Sequence, residues 1–173
     1  MKMPYQALAA AALLIVTLGS TKTFAVDAKN YPGSTCQPSS GPADALQYSL
    51  GVVSNSSSTD SIVLDCPIIK DVLNTPLSRG RIAVIAQNPN EAVLCTIRSI
   101  EAPNGADFPS RVFTQLVSTP GTDRGAQYLN FASLTDFGND SYYAMTCRLP
   151  PSFLENDVQR QSGIIFYQIR EEE

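Results

Sequence analysis

The chain reads as an all-β protein: a β-sandwich, jelly-roll-like, of about eight short antiparallel strands held by two disulfides. Three observations predict it. Short runs rich in Val, Ile and Tyr alternate apolar with polar residues and are separated by Gly, Pro and Asn clusters. No window of a dozen residues carries a helical stripe, and the best candidate, residues 65–77, is broken by Pro67 and Pro76. The 4 cysteines follow an export-type leader, and an even number in an exported chain implies paired cystines. A closed barrel is the alternative architecture.

Residues 1–25 read as a secretory signal peptide. Lys2 opens them, an apolar run from Ala7 to Val16 follows, and Thr23 and Ala25 supply the small residues that a signal peptidase reads. The apolar run is too short to cross a bilayer, and no second long apolar segment exists. Residues 26–173 then read as a single β-sandwich domain. Its Pro-, Gly- and Ser-rich start, residues 27–44, is expected to be an irregular lead-in.

The strands follow in order. Residues 46–53 alternate, with Leu46, Tyr48, Leu50 and Val52 on one face, and the polar stretch 55–60 closes them. Residues 62–66 come next and stop at Pro67. Residues 80–86 end at Asn88-Pro89-Asn90. Residues 92–100 put Val93, Cys95 and Ile97 on one face. Residues 111–118 run into the turn cluster 119–123, and residues 127–131 are short. Residues 141–149 place Tyr143, Met145, Cys147 and Leu149 together. Residues 164–169 are the most β-prone segment.

Alternation also suggests how the cysteines pair. Cys95 and Cys147 sit mid-strand among core-facing apolar neighbours, so they are expected to join each other. Cys36, in the lead-in, is then expected to join Cys66 at a strand end.

Formal net charge is −4, and losing Lys2 and Lys22 with the signal would take it to −6. No basic patch exists beyond the Arg79/Arg81 pair, so nucleic acid and anionic membranes are poor partners. The tail Glu171-Glu172-Glu173 reads as a solvated end.

Several segments together resemble a group of small exported bacterial proteins. They are Tyr31-Pro32-Gly33-Ser34-Thr35-Cys36, Gly51-Val52-Val53-Ser54-Asn55, Val63-Leu64-Asp65-Cys66-Pro67, Cys95-Thr96-Ile97, Leu129-Asn130-Phe131, and Tyr142 through Pro150. That group opens with a YPG-x-x-C motif and carries a later strand of V-x-C-P type; here two residues separate Val63 from Cys66. The resemblance implies a bacterial, exported β protein, secreted or periplasmic, and implies no activity and no site residues.

Histidine is absent, so Ser-His-Asp and Cys-His catalysis and histidine metal sites cannot be built. Beyond the signal the only lysines are Lys29 and Lys70, and neither lies in a Ser-x-x-Lys frame. Two acids could hydrolyse a glycosidic bond if they met. Asp65 is the most conspicuous acid, expected on the outward face of an edge strand. Asp136-Phe137-Gly138-Asn139-Asp140 has the oxygen density of a calcium loop without its frame. The sequons at Asn55 and Asn139 read as turn residues. No cofactor is called for.

Tyr142 is the candidate ligand contact. If Tyr143 faces the core, Tyr142 faces out, where a ring with a polar tip suits a sugar; Tyr128 and Tyr167 are further candidates. The expected function is an exported structural or interaction protein of the cell envelope or extracellular matrix, with an envelope glycan or protein as partner. The alternatives are a glycan- or peptide-binding module and, after it, a glycosidase-type enzyme.

Overall fold

The computed structural model describes residues 26–71, 75–101, 111–120, 124–138 and 141–172. The signal peptide expected over residues 1–25 lies outside them. The described residues form thirteen strands: β1 (Val26–Pro32), β2 (Gln37–Ser40), β3 (Leu46–Ser49), β4 (Val52–Asn55), β5 (Ile62–Pro67), β6 (Leu77–Ala86), β7 (Leu94–Glu101), β8 (Val112–Ser118), β9 (Gly125–Phe131), β10 (Ser141–Leu149), β11 (Phe153–Glu155), β12 (Val158–Arg160) and β13 (Gly163–Glu172).

Two antiparallel sheets make a sandwich. The five-stranded sheet runs β2-β5-β10-β7-β8. The six-stranded sheet runs β3-β4-β13-β6-β9, with β1 also paired to β13. The chain crosses repeatedly between the layers, the winding expected of a jelly-roll-like sandwich. Alternation sets the core: Ile62, Leu64 and Cys66 of β5 are buried, as are Tyr143, Met145, Cys147 and Leu149 of β10. They meet Ile82, Val84, Ile164 and Ile169 of the facing sheet in one cluster. No helix of the described residues is long and apolar enough to cross a membrane.

Strands outnumber the expected eight for three reasons. First, residues 46–53 are a hairpin and not one strand. Leu50 (φ 50°) and Gly51 (φ 82°) both take left-handed backbone, as a two-residue type I′ turn requires. Second, the lead-in is not irregular: residues 27–44 contribute β1 and β2. Their poor local β-propensity is overridden by partners, since β1 pairs along β13 from Val26↔Glu172 to Pro32↔Phe166, and β2 pairs β5. Third, Asn156 and Asp157, again left-handed, turn the small β11-β12 hairpin.

Pairing explains three further departures. β5 is an interior strand because β2 covers its flank at Gln37↔Asp65, so Asp65 faces outward but not from an edge. Tyr167 is fully buried, because a bulge between Ile164 and Phe166 shifts the parity of β13 and turns Ile164, Tyr167 and Ile169 inward together. Glu171 is not a solvated end: β1 extends β13 to Glu172 and carries Glu171 into the interior, 3.2 Å from Lys29 Nζ. Burial pulls the Lys29 ammonium down, but hydrogen bonds to Asp71 and Glu171 hold it above its usual value.

The disulfides are Cys36–Cys66 and Cys95–Cys147, both inside the sandwich. Cys95 and Cys147 lie directly opposite each other on adjacent strands β7 and β10. Cys36 follows a single 3-10 turn, Gly33–Thr35, whose glycine lies against the Ile164 backbone. The bridges close separations of 30 and 52 residues. By loop entropy each stabilises the fold by about 4 kcal/mol.

Candidate functional site

The outer face of the five-stranded sheet carries the candidate site. Its strands present alternate residues in cross-strand rows. One row runs Gln37, Asp65, Thr146, Thr96, Leu116 across all five strands. The next runs Pro67, Ala144, Arg98, Thr114. Ala144 offers only a methyl between the longer side chains of Arg98 and Tyr142, so the sheet surface dips there. The hollow measures about 530 Å³, with Tyr142, Arg98, Asp65 and Gln37 around Ala144 and Thr146.

Tyr142 stands at the rim, 52% exposed, while Tyr143 beside it points into the core. The expected division between the two tyrosines is the one observed. Burial, with the Asp136 charge nearby, pushes the Tyr143 phenol up to about 12. Four of the hollow's polar groups are uncommitted: the side chains of Gln37, Asp65, Arg98 and Tyr142 make no hydrogen bond or ion pair among the described residues, whereas Thr35 donates to the Pro32 carbonyl. Other long polar groups are spent on each other, as in Arg148 with Glu91 and Arg111 with Glu101. Free donors and acceptors beside an exposed ring are what a polar, partly apolar ligand requires.

The hollow holds one carboxylate, Asp65. Glycoside hydrolysis needs two acids in concert, and among the described residues of the lining only this one is present.

The other sequence candidates fall elsewhere. Tyr128 is exposed on the opposite sheet, where its ring packs edge-on against Phe166. Tyr167 is in the core, stacked on Tyr31 and donating to the Pro67 carbonyl at 2.6 Å. Burial pushes its phenol up to about 12. Asp136 serves a cation that the chain itself supplies: Lys70 Nζ donates to both carboxylate oxygens and lies 3.2 Å from the Ser141 hydroxyl. Asn139 and Asp140 of the calcium-like stretch lie outside the described residues. Among the described residues no group of three or more acids and cysteines could hold a metal.

Lys70 and Ser141 are in the contact that a Ser-Lys pair would need, but the same ammonium is shared with both Asp136 oxygens and the Gly138 carbonyl. Asn55 is wholly buried and donates its amide to the Asp60, Leu149 and Pro150 carbonyls, which makes it a structural clamp with no room for a sugar.

Comparison with known proteins adds little at the level of sequence. No family model and no curated protein matches the chain. Two solved structures are similar in outline. One is a low-affinity xylan-binding module, CBM86, from the gut symbiont Roseburia intestinalis, with 14% identity, 84% of this chain and 96% of that one covered, and a TM-score of 0.42. The other is a tryptic core variant of Bacillus thuringiensis Cry1Da, with 13% identity and a TM-score of 0.35; the match covers 80% of this chain but 21% of that one.

Sequence reasoning singled out Tyr142 and Asp65 separately and missed that they share a hollow. It missed Arg98, Gln37 and Ala144. The signal for Arg98 was present in the alternation of residues 92–100, which sets it on the face opposite Cys95 and Ile97.

Proposed function

We propose that this chain is an exported binding module that holds a glycan chain against the outer face of its five-stranded sheet. The observation that carries the reading is the hollow over Ala144. It combines an exposed tyrosine ring with an arginine, an acid and an amide that have no partner among the described residues. A sugar unit presents an apolar face for the ring and hydroxyls for both donors and acceptors. The hollow is shallow and open along the sheet, which suits a segment of polymer. The leader and the two disulfides support a place outside the cytoplasm, where envelope and matrix glycans are met.

The test is affinity electrophoresis of the oxidised chain through gels containing individual polysaccharides. Tyr142→Ala and Ala144→Leu both alter outward positions and leave the core untouched. Each is expected to weaken retention about tenfold, since a stacked ring contributes about 0.5–1.5 kcal/mol beyond its buried area. Retention of both variants at full strength, or of the native chain in no gel, would overturn the reading.

A second reading, assembly with other envelope proteins, draws on β8. This edge strand exposes Val112 and Leu116 on its outer side. Unpaired edges with apolar side chains are where sheets join. Light scattering of Leu116→Lys against the native chain tests it, a native oligomer dissolved by the charge being the supporting result.

A further inference from the structure

Arg111, Arg124, Arg148 and Arg160 each meet a glutamate. Arg79, Arg81 and Arg170 meet no acid among the described residues, yet they line one hollow of about 160 Å³ on the outer face of the six-stranded sheet. The register is the cause. Arg79 of β6 lies directly opposite Arg170 of β13, and Arg81, two residues on, projects from the same face. Like charges placed opposite each other across a strand pair are destabilising. In a chain of net charge −4 such a concentration of unpaired cations is not a by-product of composition.

Two features hold the hollow ready. The Arg81 guanidinium lies 5.2 Å from the Tyr128 ring centre and 5.7 Å from that of Phe166, so the rings fix it in place. Its Nε–H is buried and has no acceptor among the described residues, which leaves a desolvated donor unsatisfied. Beside it Gln168 is anchored by donating to Asn30 at 2.9 Å, and Asn130 lies on the other side.

We propose that this hollow is an oxyanion-binding site, separate from the glycan face and on the other sheet. Guanidinium groups match the planar and tetrahedral faces of carboxylate, sulfate and phosphate with paired hydrogen bonds. The anion supplies what Arg81 lacks and cancels the repulsion between Arg79 and Arg170. The oxyanion is either free or carried on an acidic sugar.

The experiment is calorimetric titration of the oxidised native chain at constant ionic strength with inorganic phosphate and, separately, with a short oligogalacturonate. One saturable site is expected, weakened about tenfold or more by Arg79→Gln and by Arg170→Gln, because each removes hydrogen bonds to a charged group. Tyr142→Ala is expected to leave it unchanged, which separates this site from the glycan face. Tighter binding of the oligogalacturonate identifies a sugar-borne carboxylate; binding of phosphate alone identifies the free anion. A second readout needs no knowledge of the ligand. In anion-free buffer Arg170→Gln is expected to melt above the native chain, and added phosphate is expected to raise only the native melting temperature. No saturable binding of either probe, or binding undiminished in both arginine variants, overturns the proposal.

Discussion

Lys70 on the segment after β5 and Asp136 after β9 form a buried ion pair. The ammonium lies 2.7 and 2.8 Å from the two carboxylate oxygens, and the side chains are 7% and 6% exposed. The Gly138 carbonyl and the Ser141 hydroxyl complete the ammonium's partners at 3.2 Å each, and the Tyr143 ring lies beneath it. A desolvated pair persists when further hydrogen bonds support it, and here the Gly138 amide and the Ser141 hydroxyl also donate to Asp136. The pair ties the chain on either side of the sandwich to the start of β10, the strand that carries Tyr142.

Removing one partner strands the other charge. Lys70→Met is expected to lower the unfolding free energy by about 3–5 kcal/mol. Urea unfolding followed by tyrosine fluorescence measures it, and a loss under 1 kcal/mol would show that the pair contributes little.

The same pair sets an acid limit. Burial pushes the Asp136 carboxyl up, but Lys70, Ser141 and the Gly138 amide together hold it below the usual carboxylate range. A depressed folded value means that the unfolded chain takes up the proton first. The contribution is therefore present above the unfolded value of about 3.9 and lost as pH falls through the folded one. Native stability should be level from pH 7 to 5 and fall below about pH 4. In Lys70→Met the sign reverses: the unpaired carboxyl titrates high, so the variant should gain stability as pH falls from 7 to 5. Parallel pH curves for the two proteins would contradict this account.

Leu50 is fully exposed and left-handed at the tip of the β3-β4 hairpin. A β-carbon in that conformation costs about 1–2 kcal/mol, and the side chain recovers nothing by packing. Leu50→Asn, which makes an Asn-Gly turn with Gly51, is expected to raise stability by about 1 kcal/mol. A thermal melt reads the gain; a fall in melting temperature would mean that the leucine packs in solution.

Gly33 sits where a side chain cannot. A β-carbon there would stand 2.0 Å from the Ile164 carbonyl oxygen, which is main chain and cannot swing aside. Gly33→Ala is expected to cost about 1–3 kcal/mol by forcing the Tyr31–Cys36 segment away from β13. Guanidinium unfolding of the oxidised variant tests it, with unchanged stability as the contrary result.

Much of this architecture is legible residue by residue. Alternation of apolar and polar side chains identifies which face of β5, β7 and β10 is buried, because neighbouring side chains on a strand point to opposite sides whatever the strand pairs with. From that follow the core positions of Cys95 and Cys147, the outward Tyr142 and the outward Asp65. The absence of histidine likewise removes whole classes of chemistry without any coordinates.

Neighbourhood is what only the tertiary structure decided. The strands of residues 27–44 exist because β13 and β5 have open flanks, a fact that nothing within those residues encodes. One inserted residue in β13 turns Tyr167 from surface to core, and a bulge of that kind leaves no mark in the alternation that precedes it. The same applies to both sites. Ala144 makes a hollow only because Arg98 and Pro67 flank it from other strands, and Arg79 repels Arg170 only because the β6-β13 register sets them face to face. Side-chain direction is a local property of the backbone, whereas register is a choice among distant partners made by the core as a whole.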